Sequence, residues 1–423
     1  MADEAIKKEG HEILVHWIWL AERKGLSDRD KLRLLEHFRD AEEIYYAPAD
    51  QLKQLQWLEQ KELDALLDKE LRGSEKILRA CADKKISVLT FQDAAYPAKL
   101  KHIADPPLVL YYKGVLPDFE SAPVIGIVGT RRSSAYGLTT AKRMGYQIAR
   151  CGAMIVSGMA KGIDGNAMQG ALTAGGFVIG VLGGGVDVIY PKSNTALYQD
   201  LTDRGCVISE HPPGTEPLGW HFPKRNRIIS GISNGVLVVE APERSGALST
   251  ARQAGEQGRD VFAVPGNIDV ETFVGCNNLL DDGAYMARSG WDVVRQYAHM
   301  YPGTVVKYTG QAVMTAYPDE TEKQDIPEAK VAQKPKIPRK EPLKEKKVID
   351  KEDSSAYSDG KKDLPKLNPE EQKLYDLLEE EMLVDDLIAA SGMATARVLA
   401  MLTMLQVRGV VQTLPGRRIR RKK

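Results

Sequence analysis

Three segments of the sequence combine glycine with cations in the manner of phosphate-binding sites. Gly129-Thr130-Arg131-Arg132 follows one apolar run, and Ser157-Gly158-Met159-Ala160-Lys161 follows the next. Gly183-Gly184-Gly185 follows a third run and leads to a Tyr-Pro-Lys sequence that ends at Lys192. Glycine lets a backbone approach an anion closely, and arginine offers a planar fork to phosphate oxygens. The pattern predicts phosphate binding, although glycines used for packing and an Arg131 used in a surface ion pair remain a structural alternative.

The densest group of cations lies in His221-Phe222-Pro223-Lys224-Arg225-Asn226-Arg227. Three positive charges within four positions, just before an amphipathic run, predict the amino end of a helix that gathers phosphate. Cations at that end oppose the helix dipole, which is tolerated where an anion compensates. The alternative is that Arg225 or Arg227 pairs internally. Glu210 and Glu240 are the candidate partners.

Residue patterns for conventional catalysis are sparse. The chain has no GxxxxGK[ST] loop and no CxxC pair, and His11, Glu12 and His16 miss the HExxH spacing by one residue. The triglycine allows a nicotinamide site, but Glu210 comes late for the acid that such a site needs. Asp164 suits a helix cap as well as a ligand role. Glycines and cations, with few side chains that could act as a general base, suit binding of a phosphate backbone better than catalysis. We therefore expect no catalytic residue, no cofactor and no metal.

The elements that must position these segments follow from the apolar pattern. Six continuous apolar runs are predicted to be buried strands: Val124 to Val128, Ala153 to Val156, Phe177 to Leu182, Cys206 to Ser209, Gly235 to Val239 and Val261 to Val264. Helix-length stretches lie between them, including Gly137 to Arg150 and Gly246 to Glu256. This alternation predicts an α/β fold with a doubly wound, mostly parallel sheet. Ligands of such sheets bind at the carboxyl ends of the strands, where the glycine and cation segments fall.

The composition limits the classes of protein to which the chain can belong. The 423 residues include 58 Lys and Arg against 58 Asp and Glu, and 43% of residues are hydrophobic. A neutral chain must build any anion-binding surface by clustering its cations. Its apolar runs are shorter than the ~18 residues of a membrane helix. Residues 1–10 lack the apolar stretch of a signal peptide, so we expect a cytoplasmic protein without membrane association.

The pattern predicts four segments in sequence. Residues 1–80 carry apolar positions at helical spacing, and residues 81–300 form the sheet domain. Residues 301–365 are rich in Lys, Glu, Asp and Pro and are predicted to be a disordered linker. Residues 366–423 show three short helices and a hairpin, which is a winged-helix pattern with a basic tail.

Five motifs then occur in a recognisable order: GIVGTRRSSAYG, IVSGMAKGIDGNAMQGAL, GVDVIYPKSN, FPKRNRIISGIS and VVEAPERSGALSTARQAGEQGRDVFAVPG. Together they closely resemble the DprA family of bacterial DNA-processing proteins, also called Smf. The resemblance covers residues 86–297, and residues 367–420 are similar to the winged helix that ends many family members. It implies an extended Rossmann-like domain that binds single-stranded DNA, protects incoming DNA during natural transformation or related recombination, and loads RecA onto it.

The resemblance also implies site residues and partners. Arg131 and Lys192 match the family's strand-contacting cations. The full predicted set for single-stranded DNA is Gly129, Thr130, Arg131, Ser157, Gly158, Lys161, Lys192, Lys224, Arg225, Asn226 and Arg227. RecA and a second copy of the chain are the expected protein partners, with single-strand binding protein as a further candidate. The family dimerises through the late part of the sheet domain, which points to residues 277–286.

Some alternatives stay open at this stage. Residues 1–80 resemble the SAM-like or helix-hairpin-helix module of many relatives, but residues 23–27 retain only one glycine, so packing or partner binding competes with a DNA role. Residues 243–250 resemble a degraded site of the Rossmann-type nucleotide phosphoribohydrolases, which is the alternative function. A transcription factor built on the winged helix is a third hypothesis, and the basic tail suits protein contact as well as duplex binding.

Overall fold

The computed structural model describes residues 13–310 and part of 369–421. Within the second range the gaps are 379–381, 394–396, 399–400, 403–404, 406–409 and 415–417. The two described ranges belong to separate compact units. The predicted disordered linker lies outside the described residues from position 311 onward.

Six helices form the amino-terminal part of the first unit: α1 (13–21), α2 (Asp28–His37), α3 (Ala41–Tyr46), α4 (Ala49–Lys53), α5 (Gln60–Leu67) and α6 (Arg72–Asp83). Trp17, Trp19 and Leu20 of α1 are at most 1% exposed. They belong to a hydrophobic core that continues into the sheet domain through Tyr111 and Ile125. The helices therefore share a core with the sheet, and the predicted boundary at residue 80 falls inside α6 because its apolar face continues to Cys81.

Nine strands form one sheet: β1 (Ser87–Thr90), β2 (Val109–Gly114), β3 (Val124–Val128), β4 (Met154–Ser157), β5 (Val178–Val181), β6 (Cys206–Ser209), β7 (Gly235–Val238), β8 (Asp260–Ala263) and β9 (Tyr285–Met286). Their order is β1-β2-β6-β5-β4-β3-β7-β8-β9. The strands from β6 to β9 are parallel, whereas β1 and β2 add an antiparallel edge. All six predicted strands are confirmed to within one residue at each end, and so is the doubly wound fold. The chain reverses its direction of winding at β3, which pairs with both β4 and β7.

Eight helices accompany the sheet: α7 (Ala98–Lys101), α8 (Ala135–Arg150), α9 (Ile163–Thr173), α10 (Thr195–Arg204), α11 (His221–Ile232), α12 (Gly246–Glu256), α13 (Val274–Asp281) and α14 (Gly290–Val294). The predicted helix at 246–256 is confirmed, and the one at 137–150 begins two residues earlier. Residues 301–310 also pack on this domain, since Tyr301 is buried and the Tyr308 ring lies 6.0 Å from that of Tyr146. The start of the predicted linker at residue 301 is therefore wrong, because aromatic contacts hold these ten residues.

The second unit is a winged helix, as predicted. It contains α15 (Pro369–Leu377), β10 (Met382–Leu383), α16 (Val384–Ser391), helical residues within 397–405, β11 (Val411–Leu414) and β12 (Arg418–Arg421). Its strands lie in the order β10-β12-β11. The Arg421 guanidinium donates to the Tyr375 carbonyl oxygen at 2.7 Å and lies over the Tyr375 ring, so this cation of the basic tail joins the wing to α15. In the part of the chain that the structure describes, no helix has the length and apolar character needed to cross a membrane.

Helices α8 and α9 approach each other closely at glycines. A Cβ atom on Gly145 would collide with the carbonyl oxygen of Ala167, and one on Gly170 would collide with that of Lys142. These collisions involve backbone atoms, which cannot move away cheaply. The two glycines thus let α8 and α9 lie together behind the ends of β3 and β4.

We expect Gly145→Ala to lower the free energy of unfolding by about 1–3 kcal/mol, the usual cost of overpacking. Gly255→Ala is the matched control, since it also lies in a helix but has no atom within 4 Å of the added Cβ. It should raise the free energy of unfolding by about 0.5–1 kcal/mol, because alanine is the better helix former. Urea denaturation measures both changes. Equal effects of the two substitutions would contradict the close helix contact.

Candidate nucleic-acid interface

Two adjoining cavities lie at the carboxyl ends of the central strands. The first cavity, of about 410 Å³, is lined by Arg131, Gly158, Ala160, Lys161, Tyr190, Pro191, Lys192, Phe222 and Arg225. The second cavity, of about 350 Å³, is lined by residues that include Thr130, Arg132, Asn226, Arg244 and Gly246. Both occupy the edge of the sheet beside the point where the winding reverses, which is where ligands of doubly wound folds bind.

The first cavity concentrates positive charge. Arg131, Lys161 and Lys192 are side chains on its rim that are at least partly open to solvent. No ion pair between described residues involves them, and no carboxylate occurs among the described residues of the lining. The three cations come from the segments after β3, β4 and β5, so the parallel sheet brings together residues up to 61 positions apart in sequence. Accessible cations without carboxylate neighbours form a surface that attracts a polyanion.

Aromatic rings alternate with these cations. The Arg131 guanidinium carbon lies 5.0 Å from the centre of the Phe222 ring, and that of Arg225 lies 5.9 Å from it. The Tyr190 ring, 43% exposed, lies 5.6 Å from the Phe222 ring at an interplanar angle of 34°. Cations attract the faces of aromatic rings, so Phe222 holds Arg131 against the cavity wall. The arrangement offers both phosphate contacts and surfaces on which unpaired bases can stack.

Arg225 is a buried cation, only 4% exposed. Its Nη1 donates to the Val181 carbonyl oxygen of β5 at 2.5 Å. A Cβ atom on residue 158 would collide with the guanidinium, which explains the glycine there. Burial lowers the pKa of Arg225 to about 10, against the opposing effect of Asp164, so the side chain stays positive at neutral pH.

Asp164 supplies the counter-charge. It lies in the first turn of α9, and Gly162 occupies the cap position, so the helix-cap interpretation of Asp164 is wrong. Burial raises the pKa of the Asp164 carboxyl, whereas Arg225 and a hydrogen bond from the Ala160 backbone act to lower it. Asp164 therefore balances the guanidinium from inside the fold rather than presenting a free carboxylate to a ligand.

The other predicted site residues have different places. Gly129, Thr130 and Asn226 lie in the wall of the second cavity. Ser157 is fully buried and donates from its hydroxyl to the Ile127 carbonyl oxygen at 2.6 Å. It lines neither cavity, so it supports the site from behind and cannot contact a strand directly.

Lys224 and Arg227 lie apart from both cavities. Arg227 forms ion pairs with Glu210 at 2.5 Å and Asp105 at 3.0 Å, and it is 4% exposed. Lys224 pairs with Asp28 of α2 at 3.0 Å. Glu210 was one of the internal partners predicted for Arg225 or Arg227, and the structure shows it paired with Arg227. The expectation that these cations form the amino end of a helix that gathers phosphate is wrong, because α11 already begins at His221 and carboxylates of the protein compensate Lys224 and Arg227.

The amino end of α8 is occupied rather than open. The Glu240 carboxylate, fully buried, accepts hydrogen bonds from the Ser134 backbone N–H at 3.1 Å and from the Ser134 hydroxyl at 3.0 Å. The Ser134 N–H at this helix end is therefore not free to bind an anion. A carboxylate of the protein already supplies the negative charge that the helix dipole favours there.

The segment 23–27 makes packing contacts within the helical region. Arg23 forms an ion pair with Asp68 at 2.7 Å, and its guanidinium lies over the Trp19 ring at 4.9 Å. Leu26 is buried in the shared core. These contacts favour the packing alternative for this turn over a role in binding DNA.

Two cations that line the second cavity were not in the set of site residues predicted from the sequence. Arg132 follows β3 and Arg244 follows β7, and both are exposed. The rule that ligands bind after each strand would have found Arg244 if it had been applied to every strand. In the same region Glu243, the acidic residue of the segment 243–250, is absent from the described lining, where Asp164 is the one carboxylate. The described residues also contain no group of three or more His, Cys, Asp or Glu side chains able to hold a metal ion.

Fold and site together define a Rossmann-like protein with a positively charged cavity at the carboxyl edge of its sheet and an appended winged helix. Residues 87–298 match the family described as DNA recombination-mediator protein A, and residues 360–417 match the DprA winged helix domain. The chain belongs to the DprA/Smf family of DNA-processing proteins.

Individual relatives agree with this assignment. Protein Smf of Synechocystis is 32% identical over 415 residues, which cover 96% of this chain and 98% of the relative. The DNA processing protein DprA of Bacillus subtilis is 43% identical over 234 residues, which cover 55% of this chain and 77% of the relative. The X-ray structure of DNA processing protein A from Streptococcus pneumoniae superposes with a TM-score of 0.59 at 35% identity, covering 67% of this chain and 97% of that one.

Proposed function

We propose that this protein is a non-enzymatic recombination mediator that binds single-stranded DNA in the first cavity. The observation that carries the proposal is the set of three accessible cations, Arg131, Lys161 and Lys192, around a cavity whose described lining has no carboxylate. Each phosphate that these cations neutralise releases condensed counterions, and this release drives binding. Membership of a family of DNA-processing proteins supports DNA as the polyanion.

The aromatic rings favour an unpaired strand over a duplex. Tyr190 is partly exposed beside Phe222, and both line the first cavity. A base can stack on such a ring only when it is free of its partner, and stacking tolerates any sequence. We therefore expect binding with little sequence preference.

Replacement of Arg131 and Lys192 together by alanine tests the proposal. Removal of each charge-assisted hydrogen bond to phosphate should cost about 1.5–3 kcal/mol, so affinity for an oligothymidylate should fall at least about tenfold. The slope of log affinity against log salt should become shallower by about 1.4, or about 0.7 for each phosphate that is no longer neutralised. Fluorescence anisotropy at several salt concentrations measures both quantities.

The matched control replaces Arg252 and Arg295 by alanine. Both are cations outside the two cavities, so the control removes the same charge. It should bind like the unmodified protein. Equal behaviour of the two double variants would show that binding is non-specific attraction and would overturn the assigned cavity.

The proposed cellular role is to protect incoming DNA in the cytoplasm and to load RecA onto it. Membership of the recombination-mediator family supports this role. RecA should form filaments on strands coated with single-strand binding protein when this protein is added, and the Arg131→Ala, Lys192→Ala variant should fail to promote them. RecA-dependent ATP hydrolysis measures filament formation. If the variant promoted filament formation as fully as the unmodified protein, RecA loading would not depend on the first cavity.

We further propose that two copies associate through β9. This strand ends the sheet, so one of its edges is unpaired, and its side chains Tyr285 and Met286 are 51% and 53% exposed. An exposed apolar edge strand is a ready surface for a second chain. Met286→Lys should therefore shift the sedimentation coefficient from dimer to monomer. A monomeric unmodified protein, or a variant that remains dimeric, would contradict this interface.

A further inference from the structure

We propose that the strand held in the first cavity continues into the second cavity, where Arg132 and Arg244 bind its next phosphates. This inference rests on the proposed function and adds two binding residues and a path to it. The bound strand would then follow the carboxyl edge of the sheet from the end of β5 to the end of β7.

The two cavities share a wall. Arg131, Ala160, Phe222 and Arg225 line both of them, so a strand that leaves one cavity has only these side chains to cross before it reaches the other. Their volumes of about 410 and 350 Å³ are similar.

The charges of the second cavity also match a phosphate chain. Arg132 and Arg244 are exposed, and neither occurs in an ion pair between residues that the structure describes. The carboxylate in this lining, Asp164, is buried and already interacts electrostatically with Arg225. The rim therefore carries two cations that no carboxylate of the described lining balances.

A helix amino end adds neutral donors to this rim. Helix α12 has 11 residues and begins at Gly246, in the cavity wall, after the cap residue Ser245. Its dipole favours an anion at that end. The contrast with α8 is informative, because there the Glu240 carboxylate fills the corresponding position, whereas the described lining around Gly246 includes no such carboxylate at the helix end.

The test compares four proteins on oligothymidylates of increasing length. These are the unmodified chain, the Arg132→Ala, Arg244→Ala variant, the Arg132→Lys, Arg244→Lys variant and the charge-matched Arg252→Ala, Arg295→Ala variant. Ligands range from thymidine monophosphate to about 16 nucleotides, the upper footprint of single-strand binding folds. Anisotropy or calorimetry at several salt concentrations gives the affinity and its salt slope.

We expect the Arg132→Ala, Arg244→Ala variant to bind the shortest ligands like the unmodified protein. On ligands long enough to reach the second cavity its salt slope should be shallower by about 1.4, because two fewer phosphates are neutralised. The Arg132→Lys, Arg244→Lys variant should recover most of that slope, since it restores the charge. The Arg252→Ala, Arg295→Ala variant should match the unmodified protein at every length.

Several outcomes would overturn the inference while leaving the proposed function intact. They are an unchanged salt slope on long ligands, and an equal decrease in affinity at every length, which would place the two arginines on the first cavity. Tight binding of thymidine monophosphate without any gain from length would contradict both the inference and the proposed function, because it would show a pocket for a free nucleotide. Failure of the unmodified protein to bind any oligonucleotide would refute the proposed function itself.

Discussion

The buried guanidinium of Arg225 is the interaction on which the rest of this edge of the sheet depends. It reaches from α11 to the Val181 carbonyl oxygen of β5, it fills the space beside Gly158 that a side chain there would need, and it interacts electrostatically with Asp164 of α9. A charge this deeply buried is costly unless it is compensated, and Asp164 with the carbonyl oxygen supplies the compensation. The same side chain lines both cavities, so the geometry of each follows from where it lies.

A neutral chain produces this positive edge by placing its carboxylates elsewhere. Glu210 and Asp105 neutralise Arg227, Asp28 neutralises Lys224, and Glu240 caps α8. Each of these carboxylates lies away from the rim that carries Arg131, Lys161 and Lys192. Cations left without such partners cost little in the free protein, because water solvates them, and they remain available to a strand whose counterions they displace.

Much of this arrangement could be predicted from the sequence, for identifiable physical reasons. Strands such as β3 and β6 are buried on both faces, so they appear as continuous apolar runs with sharp ends. The cations after the parallel strands could be grouped because those strands all end at one edge. The directions of Lys224 and Arg227 could not be predicted in this way. Their partners include Asp28 and Asp105, which only the tertiary fold brings to α11, and Asp105 is 122 positions from Arg227. Residues 301–310 were misassigned because they were grouped with the charged segment that follows them, whereas Tyr301 and Tyr308 pack on the sheet domain.

A crystal structure of the complex with an oligothymidylate would show which surface of the protein holds the strand. We expect phosphate oxygens within hydrogen-bond distance of the Arg131 guanidinium and the Lys192 ammonium, and a base stacked on Tyr190 or Phe222. A strand bound to the winged helix or to another face of the sheet domain, with the first cavity empty, would contradict this expectation.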